Sequence, residues 1–127
     1  MQRKIFFIFL LLALTISAST QKVPAFKFDT LEHDFGTISL EKDTYSYAFK
    51  FTNTGDTKLV VTGVKSSCAC TTATYPKDFI APGKEDKIVV TYTTGVLGNF
   101  KKALKVFTNK GTVTLQISGY VVNDNEE

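Results

Sequence analysis

From Tyr45 to Thr52 the chain alternates without a break. Tyr45, Tyr47, Phe49 and Phe51 take one parity, and Ser46, Ala48, Lys50 and Thr52 take the other. Side chains two apart on a strand share a face, so an extended chain puts all four aromatic rings on one side. A helix would scatter the same rings around its circumference and leave several in water. This stretch therefore commits the chain to a sheet with one apolar face, and that face needs a second layer to cover it.

The same period recurs along the chain. Phe26 and Phe28 alternate with Lys27 and Asp29, and Phe35 and Ile38 flank Gly36. The spacing predicts further strands over 58–64, 87–93, 100–108 and 113–121. In 100–108, Leu104 and Val106 oppose Lys101, Ala103 and Lys105. Asn53-Thr54-Gly55-Asp56 reads as a turn, because Asn and Gly tolerate positive φ. Tyr75-Pro76-Lys77-Asp78 and Ala81-Pro82-Gly83-Lys84 read as breaks around a short Phe79-Ile80 segment, Gly95 and Gly98 bracket another turn, and Asn109-Lys110-Gly111 makes the last hairpin. No helical period occurs. The expected fold is all-β: an Ig-like antiparallel β-sandwich of about seven strands. A closed barrel is the alternative, but Pro-containing breaks suit strands that switch sheets. The predicted inward set is Phe28, Phe35, Phe49, Phe51, Leu59, Val61, Ile88, Val90, Leu104, Val106, Leu115 and Ile117. The inter-sheet disulfide of antibody domains has no counterpart, since both cysteines lie on one short segment.

The N-terminus has a different character. Arg3 and Lys4 precede an apolar run from Ile5 to Ile16, and Ser17-Ala18-Ser19-Thr20 supplies small residues. This is the pattern of a secretory signal cut near Ala18 or Ser19. The run is shorter than the roughly 20 apolar residues that a membrane span needs, so no stable span is expected after cleavage. No cysteine follows the run to carry a lipid, and no N-x-S/T sequon is present. The expected organisation is a signal peptide over 1–19, a short linker over 20–25, the sandwich over 26–122 and a polar, acidic, disordered tail over 123–127. The expected location is outside the cytoplasm, periplasmic or secreted.

Cleavage leaves about 108 residues, with 13 basic against 12 acidic side chains. That is one domain with room for one core. Arg3 is the sole arginine and the lysines are scattered, which counts against nucleic acid as a partner.

Cys68 and Cys70 are the only cysteines, and they fall just after an apolar strand. On an extended chain their Cα atoms would stand about 6.5–7 Å apart, at or beyond the limit for a disulfide. Either the segment bends or the thiols stay free side by side. Export favours oxidation, yet closing so small a ring stabilises little, and a bridge of this kind is comparatively easy to reduce. Two thiolates also suit Cu(I) or Zn(II). With His33, the one histidine, Cys68 and Cys70 make at most three ligands, short of a closed zinc site. Inert, redox-active, metal-binding and partner-attaching uses all stay open. No lysine or histidine adjoins either cysteine in sequence to lower a thiol pKa.

Other chemistry-bearing residues read as structural. His33-Asp34 at a strand start suits a hydrogen-bonded residue better than an acid–base pair. Asp34-Phe35-Gly36 spells the kinase magnesium triplet without the loops that give it meaning. Glu85-Asp86 and Glu126-Glu127 read as solvated charge, and Lys101-Lys102 as a guard on a strand edge. No nucleophile elbow, zinc-protease motif or phosphate loop occurs, so no catalytic residue and no cofactor are expected.

Taken together, H-D-F-G-T-I at 33–38, F-K-F-T-N-T-G at 49–55, S-C-A-C-T at 67–71, A-P-G at 81–83 and G-x-F-x-K at 98–102 resemble a bacterial family of exported Ig-like domains of unknown function. The family's usual signature is Ser-Cys-Gly-Cys-Thr, where this chain has Ala69. The resemblance covers residues 26–121 and is similar in outline to Hydin-like (ASH-type) and major-sperm-protein-like sandwiches. It implies the fold and no activity. The expected role is a non-enzymatic module that binds a protein or surface polymer, with thiol–disulfide or copper handling at Cys68 and Cys70 as the alternative.

Overall fold

The computed structural model describes residues 25–124. The expected signal, residues 20–24 of the linker and the last three residues of the acidic tail lie outside the described residues. The strands are β1 (Lys27–Phe28), β2 (Glu32–Ser39), β3 (Thr44–Thr52), β4 (Val61–Ser66), β5 (Thr71–Thr74), β6 (Glu85–Thr93), β7 (Gly98–Thr108) and β8 (Gly111–Val122). They form two four-stranded sheets, β1-β3-β6-β5 and β2-β8-β7-β4. The Ig-like sandwich expected from the alternation is the observed architecture.

The core lies between the sheets, where the inward parities meet. Phe49, Leu59, Ile88, Val90, Val106, Leu115 and Ile117 are completely buried, and Phe28, Phe51, Val61 and Leu104 nearly so. Burying each such side chain is worth about 1.5–3 kcal/mol. Phe35 departs from the expected inward set. It is half-buried at the sandwich edge, its ring against His33 and Tyr45. Ile38, Ile80, Tyr92, Phe100 and Val121 complete the core.

Four features correct the sequence expectation. First, β5 is an eighth strand. Its sequence Thr-Thr-Ala-Thr carries no large apolar residue, but an edge strand needs only half a pattern, and Thr71 and Ala73 supply it against Tyr92 and Val90 of β6. Second, β2 runs parallel to β8, not antiparallel. Alternation is blind to strand direction. A bulge at Gly36, with φ +71°, shifts the register of β2 between Asp34 and Thr37.

Third, the stretch 58–64 is not one strand. Leu59 bridges Ile80, and only from Val61 does the chain join β7 in the other sheet. The switch at Val60 is held by Asn109, whose side chain accepts the Val60 N–H at 2.8 Å and whose N–H donates to the Val60 carbonyl at 3.0 Å.

Fourth, Asn53 is a buried clamp as well as a turn residue. It has no exposed surface. Its amide donates to the carbonyls of Thr57 and Ile80, both at 2.8 Å, and accepts the Gly55 N–H at 3.1 Å. Gly55 does not have positive φ; the turn glycine that does is Gly83, φ +79°, whose N–H donates to the Asn53 carbonyl. Asn53 and Asn109 thus fasten the loops at one end of the sandwich. The other end gathers the β2–β3, β4–β5 and β6–β7 connections, the last residues of β8 and both cysteines.

Candidate functional site

β4 stops pairing with β7 at Ser66, opposite Leu104. The chain must then cross to the other sheet, where Thr71 pairs with Tyr92. It does so in a tight turn closed by Thr71 N–H to Cys68 carbonyl, 3.2 Å. Ser66 sets the entry: its hydroxyl accepts the Cys68 N–H at 3.2 Å and donates to the Cys68 carbonyl at 2.9 Å. The turn brings the Cα atoms of Cys68 and Cys70 to 5.2 Å, and a disulfide joins them. The segment bends, the first of the two possibilities read from the spacing. The ring spans so few residues that its chain-entropy contribution is about 1.5 kcal/mol, small beside the core.

The two sulfurs differ in surroundings. Cys70 packs against the core cluster; Cys68 does not. Cys68 Sγ accepts the Cys70 N–H at 3.2 Å, and Cys70 Sγ lies 3.7 Å from the hydroxyl of buried Thr71. The Cys70 carbonyl accepts the Thr93 N–H at 2.8 Å, which ties the turn to the end of β6.

The disulfide opens onto a cleft of about 340 Å³. Tyr92 and Phe100, stacked at 3.9 Å between ring centroids, form its apolar wall. Burial pushes the Tyr92 hydroxyl above its ordinary pKa of 10.0. Gly95, Val96 and Asn99 form the rim, and the only charged side chains of the lining are Lys101 and Lys102. Lys102 shares the inward parity of Phe100 and Leu104. It sits beyond the last residue of β4, so its position meets the cleft in place of a strand. Sequence order separates Lys102 from the cysteines by some thirty residues; strand pairing removes that separation. A sequence signal existed in its parity, a lysine among inward-facing residues.

Val96 is 75% exposed and Leu97 49%. Between them they border two cavities, because Leu97 and Tyr120 line a second one with Gly98 and Val121. A third contains Asn99, Phe100 and Tyr120 beside the Gly36 bulge. The β6–β7 turn is therefore an apolar point with concave surface on both sides. Thr94 holds it in place, accepting no part in the core but donating its N–H and hydroxyl to the carbonyls of Asp43 and Lys42.

His33 belongs elsewhere. It lies on β2, one edge of its sheet, whereas the cysteines follow β4, the opposite edge. Its ring stacks on Tyr47 at 3.6 Å and meets the edge of Phe35 at 4.7 Å. The three candidate ligands Cys68, Cys70 and His33 are thus not brought together, and among the described residues no group of three or more His, Cys, Asp or Glu is placed to hold a metal. Desolvation lowers the His33 pKa from 6.5, with Asp34 opposing. The unfolded chain then takes up this proton first, so the neutral-state stability is lost as pH falls through about 6.5. A melting series from roughly pH 8 to pH 5 is expected to show a falling Tm that His33→Phe, which keeps the ring stack, flattens.

No helix among the described residues is long and apolar enough to cross a membrane. No curated protein matches the sequence. Solved structures match the fold. The ASH/PapD-like domain 7 of human CEP192 aligns at 12% identity and TM-score 0.70, over 88% of this chain and 99% of that one. The CsuC–CsuE chaperone–tip adhesion subunit complex of Acinetobacter baumannii aligns at 13% and 0.56, over 76% and 56%. WR4, a Caenorhabditis elegans major-sperm-protein family member, aligns at 11% and 0.52, over 79% and 100%. At these identities the likeness is one of fold. The family is shown by sequence: the model described as "Protein of unknown function (DUF1573)" matches residues 26–121, the whole sandwich, and the chain belongs to that family.

Proposed function

We propose that this protein is an exported, non-enzymatic Ig-like module that binds an apolar segment of a partner protein at its disulfide end. The observation that carries the proposal is the pair Val96 and Leu97, held out of the core on a fastened turn with a cavity on either side. Large apolar side chains exposed together beside concave surface mark interaction sites. At the opposite end Leu31 and Phe79 are also exposed, and a cavity of about 330 Å³ lies among Phe26, Phe28, Leu31 and Val113, but those two exposed residues are far apart in the chain and form no adjacent pair like Val96 and Leu97. The fold likeness to the Acinetobacter chaperone–tip adhesion subunit complex supports a protein as the partner. The basic N-terminus and apolar run supply the export signal.

Site-specific cross-linking in cells tests it. A photo-reactive residue at Val96 is expected to give a discrete adduct in the exported fraction, and the same residue at Asp56, in the loop at the opposite end, is not. Leu97→Asp, on the exposed surface, is expected to abolish the adduct while leaving the melting temperature within a few degrees, as surface substitutions do. Equal adducts from both positions, an adduct indifferent to Leu97→Asp, or retention of the protein in the cytoplasm overturns the proposal.

A further inference from the structure

The cleft contains one group that simple docking does not use, the disulfide itself. We propose that Cys68–Cys70 is a thiol-exchange site. Cys68 is the sulfur that bonds to a cysteine of a polypeptide segment lying in the cleft, and Cys70 is the leaving and resolving sulfur.

Three observations support this order. Both cysteines line the cleft and both are half-buried, but only Cys70 is packed against the core, which leaves Cys68 the sulfur less hemmed in by apolar neighbours. Cys68 Sγ already accepts the Cys70 N–H at 3.2 Å, a donor that stabilises negative charge on that sulfur when the bond is open. The cleft's charged lining is wholly basic, Lys101 and Lys102, and so favours the approach of a thiolate over a thiol. The turn that sets the geometry depends on backbone bonds from Thr71 and Thr93 and on Ser66. None of these needs the S–S bond, so the two thiols stay within reach of each other after opening and resolution is intramolecular.

The exchange balances as follows. A thiolate of the segment attacks Cys68 Sγ. A new S–S bond forms to Cys68, the Cys68–Cys70 bond breaks, and its electron pair leaves on Cys70 Sγ. The Thr71 hydroxyl, 3.7 Å away, can donate to that thiolate before it takes a proton. A second thiolate of the segment then attacks the segment's own sulfur in the mixed disulfide, and Cys68 leaves as a thiolate and is protonated. The segment, a dithiol, loses two electrons and two protons and gains a disulfide; Cys68 and Cys70 become two thiols. The cleft selects a cysteine flanked by an apolar residue for Val96 and Phe100 and by a carboxylate for the lysines. This chemistry stands apart from the partner-binding proposal, which requires no exchange.

Single-cysteine variants test it. The full exported chain carrying Cys70→Ser, mixed with glutathione disulfide, is expected to form a Cys68–glutathione adduct about ten-fold faster than Cys68→Ser forms the Cys70 adduct, as accessibility and thiolate character dictate. The difference should vanish in urea. Adding Lys102→Met to Cys70→Ser is expected to slow the reaction with anionic glutathione disulfide several-fold, and to slow that with neutral 2-hydroxyethyl disulfide by less, since only the first loses charge attraction to the disulfide as well as thiolate stabilisation. A peptide bearing two cysteines beside Leu and Asp is expected to emerge oxidised from the wild-type chain, one disulfide per chain reduced. Equal rates in the two variants, a faster Cys70, indifference to Lys102→Met, or a Cys68–Cys70 bond that millimolar dithiothreitol leaves closed in the folded chain overturns the assignment. Circular dichroism of each variant confirms that a folded chain is being read, and Cys70→Ala replaces Cys70→Ser if the latter melts early.

Discussion

Asn53→Asp is expected to destabilise the chain by about 3–5 kcal/mol at neutral pH, a large fraction of a small domain's total stability. The substitution changes one atom, and its effect comes from where that atom sits. The Asn53 Nδ2 donates to two carbonyls, those of Thr57 and Ile80, with no water-exposed surface on the residue. A carboxylate turns both attractions into oxygen–oxygen repulsions inside the protein. Asn53→Ala should cost less, about 2 kcal/mol, since its partners keep other bonds: Lys110 Nζ reaches the Thr57 carbonyl, Leu59 N–H the Ile80 carbonyl, and Gly55 N–H the Ala25 carbonyl. The pH dependence separates the two variants. Burial among carbonyls raises the pKa of the introduced acid in the folded state above its unfolded value of about 3.9. The folded chain then holds the proton more tightly, and lowering the pH toward 4 should restore part of the Asn53→Asp loss relative to wild type and none of the Asn53→Ala loss. Denaturant titrations at the two pH values measure this.

Gly119→Val is expected to cost about 3 kcal/mol, at the upper end of what overpacking does. Gly119 faces Phe100 across the β7–β8 pair. A Cβ there would stand 2.7 Å from Phe100 Cε1, 2.8 Å from Cζ and 3.1 Å from the Gly36 carbonyl oxygen. Neither neighbour yields cheaply. The Phe100 ring is stacked on Tyr92 at 3.9 Å, and the Gly36 oxygen belongs to the backbone of the β2 bulge. If the clash with Phe100 is the cause, Phe100→Ala and Gly119→Val together should cost less than the sum of the two alone. Additive losses in thermal or urea melts would remove that explanation. Because Phe100 walls the disulfide cleft, the single variant should also alter the rate at which Cys68 is modified.

These two positions show where sequence reasoning stopped. Asn53 carries all the marks of a turn residue, and it does lie in a turn. What no local pattern conveys is that Ile80, 27 residues on, brings a carbonyl to its amide. Gly119 looks like a defect in the alternation of β8, and its reason is a ring on β7. The missing strand β5 has the same origin: Thr71 and Ala73 become an inward face only beside β6. Phe35, by contrast, lies before the β2 bulge and packs against His33 and Tyr45 at the sandwich edge, whereas Ile38, past the bulge on the same strand, reaches the core.

The alternation of aromatic and polar residues determined by itself that this chain is all-β with one apolar face to each long strand, and it picked out most of the side chains that fill the core, because parity on a strand follows from covalent geometry. The same sequence placed two thiols at one sheet end and limited what their bond can contribute to stability, because ring size is a property of spacing. Only the tertiary structure decided that β2 runs parallel to β8, that His33 stands at the edge opposite the cysteines, and that Lys102, Tyr92, Phe100 and Val96 surround them. Those facts depend on which strands become neighbours. Neighbourhood is set by the sum of many weak contacts across the core, and no single stretch of the chain carries it.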